Sequence, residues 1–188
     1  YTDARKEMNF GGAGSLNIWS NGVIKILLKS DLSQIPADAV IEKAELKLYC
    51  YSLEWPSSDP RLEAYRVTRD WEEGEGTWGE ARSGVTCYEY DYYDHDLTET
   101  NDWNITGGDI DMFTDFGYGP GGLVAETVMQ ENSWITFDIS GIVQKWVSGE
   151  IENHGVLIQA TKRICNDANF YSSEYADEEL RPELLIRY

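Results

Sequence analysis

An antiparallel β-sandwich of the jelly-roll type, with one short helix and a long acidic insertion, is the fold that this sequence predicts. Three observations indicate this all-β class. Apolar and polar residues alternate with period two in segment after segment, only one segment has helical periodicity, and the connections between the alternating segments are long. The 188 residues suit one domain, so we treat 1–188 as a single β-sandwich with an insertion at about 83–130.

The predicted strands follow from this alternation. The first two, 15–19 and 23–29, flank an Asn21-Gly22 pair, the dipeptide most typical of a tight β-hairpin turn. The third is 41–51, and its inward positions are Ala44, Leu46, Leu48 and Cys50. Later strands are predicted at 62–67, 133–139, 155–160, 169–173 and 183–188.

One helix is predicted between Ser140 and the stop signal at Gly149. Within it four apolar residues recur at helical spacing, namely Ile142, Val143, Trp146 and Val147. A helix this short is not a layer of the architecture, and we expect it to cover one end of a sheet.

The charge of the chain is unevenly distributed. The formal net charge is -19, and from Ser83 to Gln144 there are twelve carboxylates but no lysine or arginine. No basic cluster is present that could neutralise phosphates, so nucleic acid and anionic membranes are excluded as partners. The hydrophobic content of 41% and aromatic content of 13% also exclude a disordered chain.

The chain is expected to be a piece of a longer polypeptide. There is no apolar run long enough to cross a bilayer and no recognisable signal peptide, and the sequence begins at Tyr1 without a methionine. We therefore interpret the chain as excised from a larger protein, and the missing signal peptide does not indicate where that protein is located.

Calcium is the cofactor that the acidic insertion predicts. Ca²⁺ takes six to eight oxygen ligands, and closely spaced aspartates in a glycine-bearing loop can supply them. The alternative is that the acidic loop is a solvated face with no bound metal. The candidate ligands lie in two runs, Asp91, Asp94 and Asp96, and Asp109, Asp111 and Asp115.

Carbohydrate binding is predicted from the aromatic residues, because flat rings stack on the apolar faces of sugars. Trp71, Trp78, Trp134 and Trp146 have apolar neighbours and are expected to pack in the core. The tryptophans expected to be exposed are Trp19, Trp55 and Trp103. The predicted stacking surface consists of Trp103, Tyr90, Tyr92, Tyr93 and Tyr118, although these rings could instead form a small core of the insertion.

Catalysis is not predicted. Thirty-four acidic residues produce carboxylate pairs by chance, and neither histidine accompanies a nucleophile motif or a cysteine at zinc-ligand spacing. Cys50 is expected to be a small buried apolar residue, whereas Cys87 and Cys165 either pair or stay free. Arg181 is expected to anchor the last strand by pairing with a carboxylate such as Glu174.

Several sequence blocks, taken in order, resemble a known family. They are 29–41, 65–73 with Thr77-Trp78, 137–146, Asn153-His154-Gly155, 170–174 and 181–184. Together they resemble the DNRLRE domains, extracellular β-sandwich modules related to carbohydrate-binding module family ninety-six. The middle of the chain, with Gly84-Val85-Thr86, Trp103 and Gly107-Gly108-Asp109, is similar to the disaggregatase-related repeat of archaeal surface proteins.

The resemblance implies a jelly-roll-like module displayed outside the cell, and it implies association with carbohydrate. The function we predict is a non-catalytic, calcium-stabilised module that binds a polysaccharide of the envelope or matrix. One alternative is a purely structural or adhesive surface-layer repeat that contacts neighbouring modules of the same protein. Another is an accessory domain of a polysaccharide-degrading enzyme.

Overall fold

Two antiparallel sheets form the framework of the chain. The computed structural model describes residues 9–19, 24–77, 84–85, 110, 123–160 and 167–188. In chain order the elements are β1 (Ser15–Trp19), β2 (Ile26–Leu28), β3 (Lys43–Glu54), β4 (Arg61–Arg66), β5 (Leu123–Val128), β6 (Ser133–Asp138), α1 (Ser140–Val147), β7 (Val156–Ala160), β8 (Asp167–Tyr171), a 3-10 helix (Glu178–Leu180) and β9 (Glu183–Arg187).

The sheets have five and four strands, which confirms the predicted sandwich. The five-stranded sheet has the order β1-β8-β3-β6, with β9 also paired to β3, and the four-stranded sheet has the order β2-β7-β4-β5. The long strand β3 organises the larger sheet. Its residues 45–50 pair with β6, while residues 50–54 pair with β8 and residues 43–47 pair with β9. Because Cys50 pairs with both β6 and β8, these two strands lie on opposite edges of β3.

The core lies between the two sheets and is built from alternate residues of each strand. All four predicted inward positions of β3 are buried, and Leu48 and Cys50 are completely so. Phe137 and Phe170 fill the space on the same sheet, with no exposed surface. Large apolar side chains buried in this way each contribute about 1.5–3 kcal/mol, so the alternation both selects the strand and stabilises it.

The predicted helix is confirmed, and its side chains attach it to the start of β3 and to the segment just before that strand. The backbone N–H of Ala44 donates to Oγ of Ser140 at 2.8 Å. The side-chain amide of Gln144 accepts from the N–H of Ile41 at 2.8 Å and donates to the carbonyl of Ala39. The helix therefore closes one end of the sandwich, as its length predicts.

The predicted hairpin between the first two strands is wrong. Strand β1 pairs with β8 in the five-stranded sheet, and β2 pairs with β7 in the four-stranded sheet. Ile18 and Ile26 are both buried in the same core. The two strands must therefore face each other across the core, and this burial overrides the local hairpin signal of Asn21-Gly22.

Smaller differences concern strand limits. Strand β8 begins two residues before the predicted segment, and β5 has no counterpart among the predicted strands. Cys50 is buried as expected, whereas Cys87 and Cys165 lie outside the described residues. No helix within the described ranges is long and apolar enough to cross a membrane.

Candidate functional site

The predicted sites in the acidic insertion lie outside the described residues. This applies to the calcium ligands Asp91, Asp94, Asp96, Asp109, Asp111 and Asp115, and to the stacking residues Trp103, Tyr90, Tyr92, Tyr93 and Tyr118. Within the part of the chain that the structure describes, no group of three or more acidic, histidine or cysteine side chains is arranged to hold a metal ion. A candidate site lies on the β-sheet framework instead.

The outer face of the five-stranded sheet carries a group of aromatic side chains, which we call the aromatic face. Strand pairing brings three of them into one row across the sheet. Tyr49 pairs directly with Trp134 of β6, and the adjoining pair of Cys50 with Phe170 sets Tyr49 beside Tyr171 of β8. Neighbouring strands are about 4.8 Å apart, which brings such side chains into contact. The complete aromatic face consists of Tyr49, Tyr51, Trp134, Tyr171 and Tyr175.

The four tyrosine rings of the aromatic face are nearly parallel. Tyr171 is the central ring, with centroids 5.8 Å from Tyr49, 4.5 Å from Tyr51 and 3.7 Å from Tyr175, and with interplanar angles of 17–20°. Trp134 meets Tyr49 edge-on, at 5.5 Å and 85°. Among the described residues Tyr175 stacks on Tyr171 alone, so it stands at one end of the stack.

A break in the strand register extends the aromatic face along β3. The pairing of β3 with β8 shifts between Cys50 and Ser52, because Cys50 pairs with Phe170 and Ser52 with Asn169. A bulge of this kind adds one residue to one strand and changes the direction of the side chains near it. Tyr51 is the added residue, and its ring lies against that of Tyr171.

Hydrogen bonds around Ser172 fix the position of Tyr175. Ser172 is 1% exposed, and its Oγ donates to the carbonyl of Ala13 at 2.6 Å and accepts from the N–H of Glu174 at 3.1 Å. The guanidinium of Arg181 donates to the carbonyl of Tyr175 at 2.7 Å. The residue that carries the end ring is thus held by the N-terminal segment on one side and by Arg181, two residues before β9, on the other.

The charged groups near the aromatic face are largely paired with each other. Nζ of Lys47 lies 4.8 Å from the Trp134 ring centroid, within reach of a cation–π contact, and 3.3 Å from a carboxylate oxygen of Glu183. Lys43 pairs with Glu45 at 2.8 Å on the same face of β3. As far as the described residues show, the two lysines on this face, Lys43 and Lys47, are both paired with carboxylates, so the aromatic face offers mainly ring surfaces and phenol hydroxyls.

The sequence as a whole matches a known family. The model of the family described as the disaggregatase related repeat domain matches residues 6–186. The chain belongs to this family. No curated protein matches the chain.

The structure corrects one prediction about this disaggregatase related repeat domain. Trp134 was expected in the core, but it lies on the outer face, because its neighbour Ile135 occupies the inward position. The error arises because apolar context in the sequence does not distinguish the two faces of a strand unless the register is known. Arg181 pairs with a nearby carboxylate, as predicted, and the partner is Glu178, 3.4 Å from its Nη1, rather than the suggested Glu174.

The aromatic face could have been found from the alternation itself. In the predicted third strand, the residues between the inward positions run Lys43, Glu45, Lys47, Tyr49 and Tyr51. The change from charged to aromatic residues along the outer side is visible in the sequence. What the sequence does not reveal is which strands border β3, and hence that Trp134 and Tyr171 join the same surface.

The remaining described tryptophans have varied roles. Trp71 packs against Val67 and Leu157 and donates from Nε1 to the carbonyl of His154 at 2.8 Å, which supports its predicted structural role. Trp146 packs against the main core, also as predicted. Trp55 is 82% exposed, and Trp19 is half-buried. Trp78, like Trp103, lies outside the described residues.

A depression of about 540 Å³ lies beside the end of α1. Its polar groups are occupied by contacts among themselves. Asp31 accepts from the N–H and hydroxyl of Ser33, and the side-chain amide of Asn153 donates to the carbonyl of Ser30. These contacts support the loop after β2, so we assign the depression a structural role. It is lined by Lys29, Ser30, Asp31, Leu32, Ser33, Ile35, Trp146, Val147 and Asn153.

The tyrosine stack predicts a characteristic alkaline titration. The hydrogen bond to Tyr175, with burial and neighbouring phenols as further causes, raises the pKa of Tyr171 from 10.0 to about 12. The folded protein thus holds this proton more tightly than the unfolded chain does. The resulting stability is present below pH 10 and is lost as pH rises from 10 to 12.

Ultraviolet difference absorbance against pH measures this effect. We expect the variant Tyr175→Phe, which keeps the ring but removes the hydroxyl partner, to lower the pKa of Tyr171. Burial, and after it the hydrogen bond with Glu63, raises the pKa of Tyr65 to about 12. Tyr65 is the control because it lies in the other sheet. If both late-titrating tyrosines are unchanged in Tyr175→Phe, the hydrogen bond between Tyr171 and Tyr175 is not formed in solution.

Proposed function

We propose that this domain is a non-catalytic carbohydrate-binding module of a cell-surface or secreted protein, and that the aromatic face is its binding surface. The observation that carries the proposal is the presence of four nearly parallel tyrosine rings, with Trp134 edge-on beside them, on the outer side of one sheet. Outer faces of a sheet normally carry polar residues, because they meet water. Five aromatic side chains gathered there are suited to contacts with a ligand that is flat and partly apolar.

Sugars have the required chemistry. The C–H groups of a pyranose ring form an apolar face that stacks on an aromatic ring, while its hydroxyls bond to phenols, carboxylates and amides at the rim. Tyr175 offers such a ring at one end of the stack, and Glu174 and Ser173 adjoin it in sequence. Asn17 and Asn169 form a hydrogen-bonded amide pair on the same sheet and are further polar groups for the rim.

The charge of the chain favours a neutral polysaccharide. A net charge of -19 repels a polyanion at long range, and Lys47, which lies over the Trp134 ring, is already paired with Glu183. An anionic polymer would need calcium bridges to approach. We therefore propose a neutral polysaccharide of the envelope or matrix as the partner, with a cation-bridged one as the weaker candidate.

We also propose two roles for the acidic insertion, one in binding calcium and one in binding sugar. The aspartates at 91, 94, 109, 111 and 115 are proposed to bind a structural Ca²⁺, because hard carboxylate oxygens in an irregular loop suit this ion. Trp103 and the tyrosines of the insertion are proposed to add to the same sugar-binding surface. Both parts rest on the sequence alone.

A structural or adhesive repeat is the second candidate function. Two observations favour it: the family is one of repeat domains, and cross-strand aromatic pairs also stabilise a sheet without any ligand. In that case the aromatic face strengthens the framework, or it packs against a neighbouring module. The role of accessory domain to a polysaccharide-degrading enzyme is compatible with the same binding surface.

Titration calorimetry of one tyrosine variant tests the proposal. Tyr175→Ala removes the end ring but leaves every strand intact, so we expect a loss of glycan affinity of about tenfold, or about 1.4 kcal/mol, with little change in stability. Tyr188→Ala, which removes another exposed tyrosine at the end of the chain, is the matched control and should bind normally. The titrants are neutral and anionic polysaccharides, each in calcium and in EDTA.

The two functions give different results in this experiment. If Tyr175→Ala and Tyr49→Ala lower the melting temperature while leaving glycan affinity unchanged, the tyrosine stack stabilises the fold and does not bind the glycan. If the wild-type protein binds no glycan of the panel, the carbohydrate proposal fails as a whole. Tighter binding of the anionic polymers in calcium than of the neutral ones would reject the neutral ligand.

A further inference from the structure

Trp55 is the most exposed large apolar residue in the described ranges. It follows directly on the end of β3 and is 82% exposed. Its φ angle is +51°, in the left-handed region that L-residues other than asparagine and glycine rarely adopt. Pro56 comes next, and a residue before proline favours extended backbone instead.

The register of β3 makes this exposure unexpected. Beyond the bulge, Leu53 pairs with Ala168 and packs against the core, so the next residue on that face of the strand is residue 55. A regular strand would therefore turn Trp55 inward, beside Leu53. The left-handed turn interrupts the strand at this point, and it leaves the indole in water.

Folding alone does not explain a tryptophan at this position. Glycine or asparagine would make the same left-handed turn without strain, and an indole in water gains nothing from burial. Strained backbone that carries an exposed functional side chain is typical of ligand-binding positions.

We propose that Trp55 is a second sugar-stacking position, separate from the aromatic face, and that the ligand is an extended glycan chain spanning both. The proposal rests on the carbohydrate-binding function proposed above. Trp55 lies four positions after Tyr51, just beyond the end of β3, which corresponds to about 13 Å of extended chain. This span exceeds one sugar ring, so the module is expected to bind internal segments of a polysaccharide rather than single terminal sugars.

The surroundings of Trp55 indicate the chemistry of the ligand. Glu54 precedes it in the sequence, and Glu131 accepts from the N–H of Leu53 at the same strand end, at 3.2 Å. Asp59, four residues after Trp55, is paired with Nε of Arg61 at 2.7 Å. Glu54 and Glu131 are the carboxylates suited to accept hydrogen bonds from sugar hydroxyls and to repel anionic chains. Ser57 and Ser58 add hydroxyl groups in the same loop. A neutral, hydroxyl-rich glycan therefore matches both the aromatic face and this loop.

The test compares short and long oligosaccharides of one neutral series, for example the disaccharide and the hexasaccharide of β-linked glucose and of mannose. Trp55→Gly removes the indole and relieves the left-handed strain, so its melting temperature should equal or exceed that of the wild type. We expect its affinity for the hexasaccharide to fall about tenfold and its affinity for the disaccharide to stay unchanged. Val128→Ala, at another exposed apolar residue, is the control and should bind both sugars normally.

Comparison with Tyr175→Ala separates this inference from the proposed function. If Tyr175→Ala weakens binding and Trp55→Gly does not, the aromatic face binds sugar and the second position is rejected. If the wild type binds neither oligosaccharide, both proposals fail. A fall in the melting temperature of Trp55→Gly would overturn the inference, because it would assign Trp55 a structural role. Equal losses of affinity for the disaccharide and the hexasaccharide in Trp55→Gly would also overturn it.

Discussion

Replacing Asn9 by alanine is expected to lower the free energy of unfolding by about 3–5 kcal/mol, a large effect for a residue outside every strand. Asn9 is 2% exposed. Its Oδ1 accepts from the N–H groups of Gly11 and Gly76, each at 3.0 Å. Its Nδ2 donates to the carbonyls of Glu73 and Val85. Alanine would remove the partner of all four backbone groups at once, and the N–H of Gly76 among them is buried.

Chemical denaturation monitored by tryptophan fluorescence measures the loss. Asn17→Ala is the matched control, since Asn17 lies half-buried on β1 with a side-chain hydrogen bond to Asn169, and it should cost about 1 kcal/mol. A loss in Asn9→Ala no larger than this would mean that water satisfies the four backbone groups, and that the N-terminal segment is not fixed by this residue.

The effect of Asn9 is expected to reach the aromatic face. Asn9 anchors the segment that ends at Ala13 and Gly14, and their carbonyls accept from the hydroxyl and the N–H of Ser172. Ser172 in turn accepts the N–H of Tyr175 at its carbonyl, at 3.3 Å. The position of the end ring of the stack thus depends on a residue 166 positions earlier in the sequence.

The sequence predicts the framework well because burial on one face leaves a periodic trace. Leu46 and Leu48 identify the inward side of β3 without any knowledge of its neighbours. Contacts such as those of Asn9 leave no such trace, because a polar residue that bonds backbone groups far along the chain resembles any loop asparagine. Strand β5 escapes prediction for a related reason, since Leu123, Val124 and Ala125 are all half-buried and show no alternation.

The candidate site shows the same division. The presence of exposed aromatic residues on a sandwich could be predicted, and Trp55 is exposed as expected. The grouping of Trp134 with Tyr49 and Tyr171 could not, because it depends on which strands pair with β3 and in which register. Local patterns define the faces of each strand, whereas only the assembled sheet defines a surface.

Gly155→Ala is expected to destabilise the domain by about 4 kcal/mol or more. Gly155 has a φ of +80°, and a Cβ added there would lie 2.1 Å from the carbonyl oxygen of Leu28 and 3.0 Å from Cα of Lys29. Both neighbours are backbone atoms of the segment at and just beyond the end of β2, so neither can move aside without breaking the pairing of β2 with β7. The carbonyl of Gly155 also accepts from the N–H of Val67 at 3.1 Å, which fixes its own position.

Two other glycines separate the steric part of this effect from the conformational part. Gly149 has a φ of +72° with open space around it, so Gly149→Ala should cost only the strain of the left-handed backbone, about 1–2 kcal/mol. Gly141 lies in α1 with neither constraint, so Gly141→Ala should stabilise the domain by about 0.5–1 kcal/mol. Denaturation midpoints should therefore rank Gly141→Ala above the wild type, then Gly149→Ala, then Gly155→Ala. Equal losses at Gly149 and Gly155 would mean that β2 withdraws from Gly155 at little cost, and that the close approach of these two segments does not hold the sandwich together.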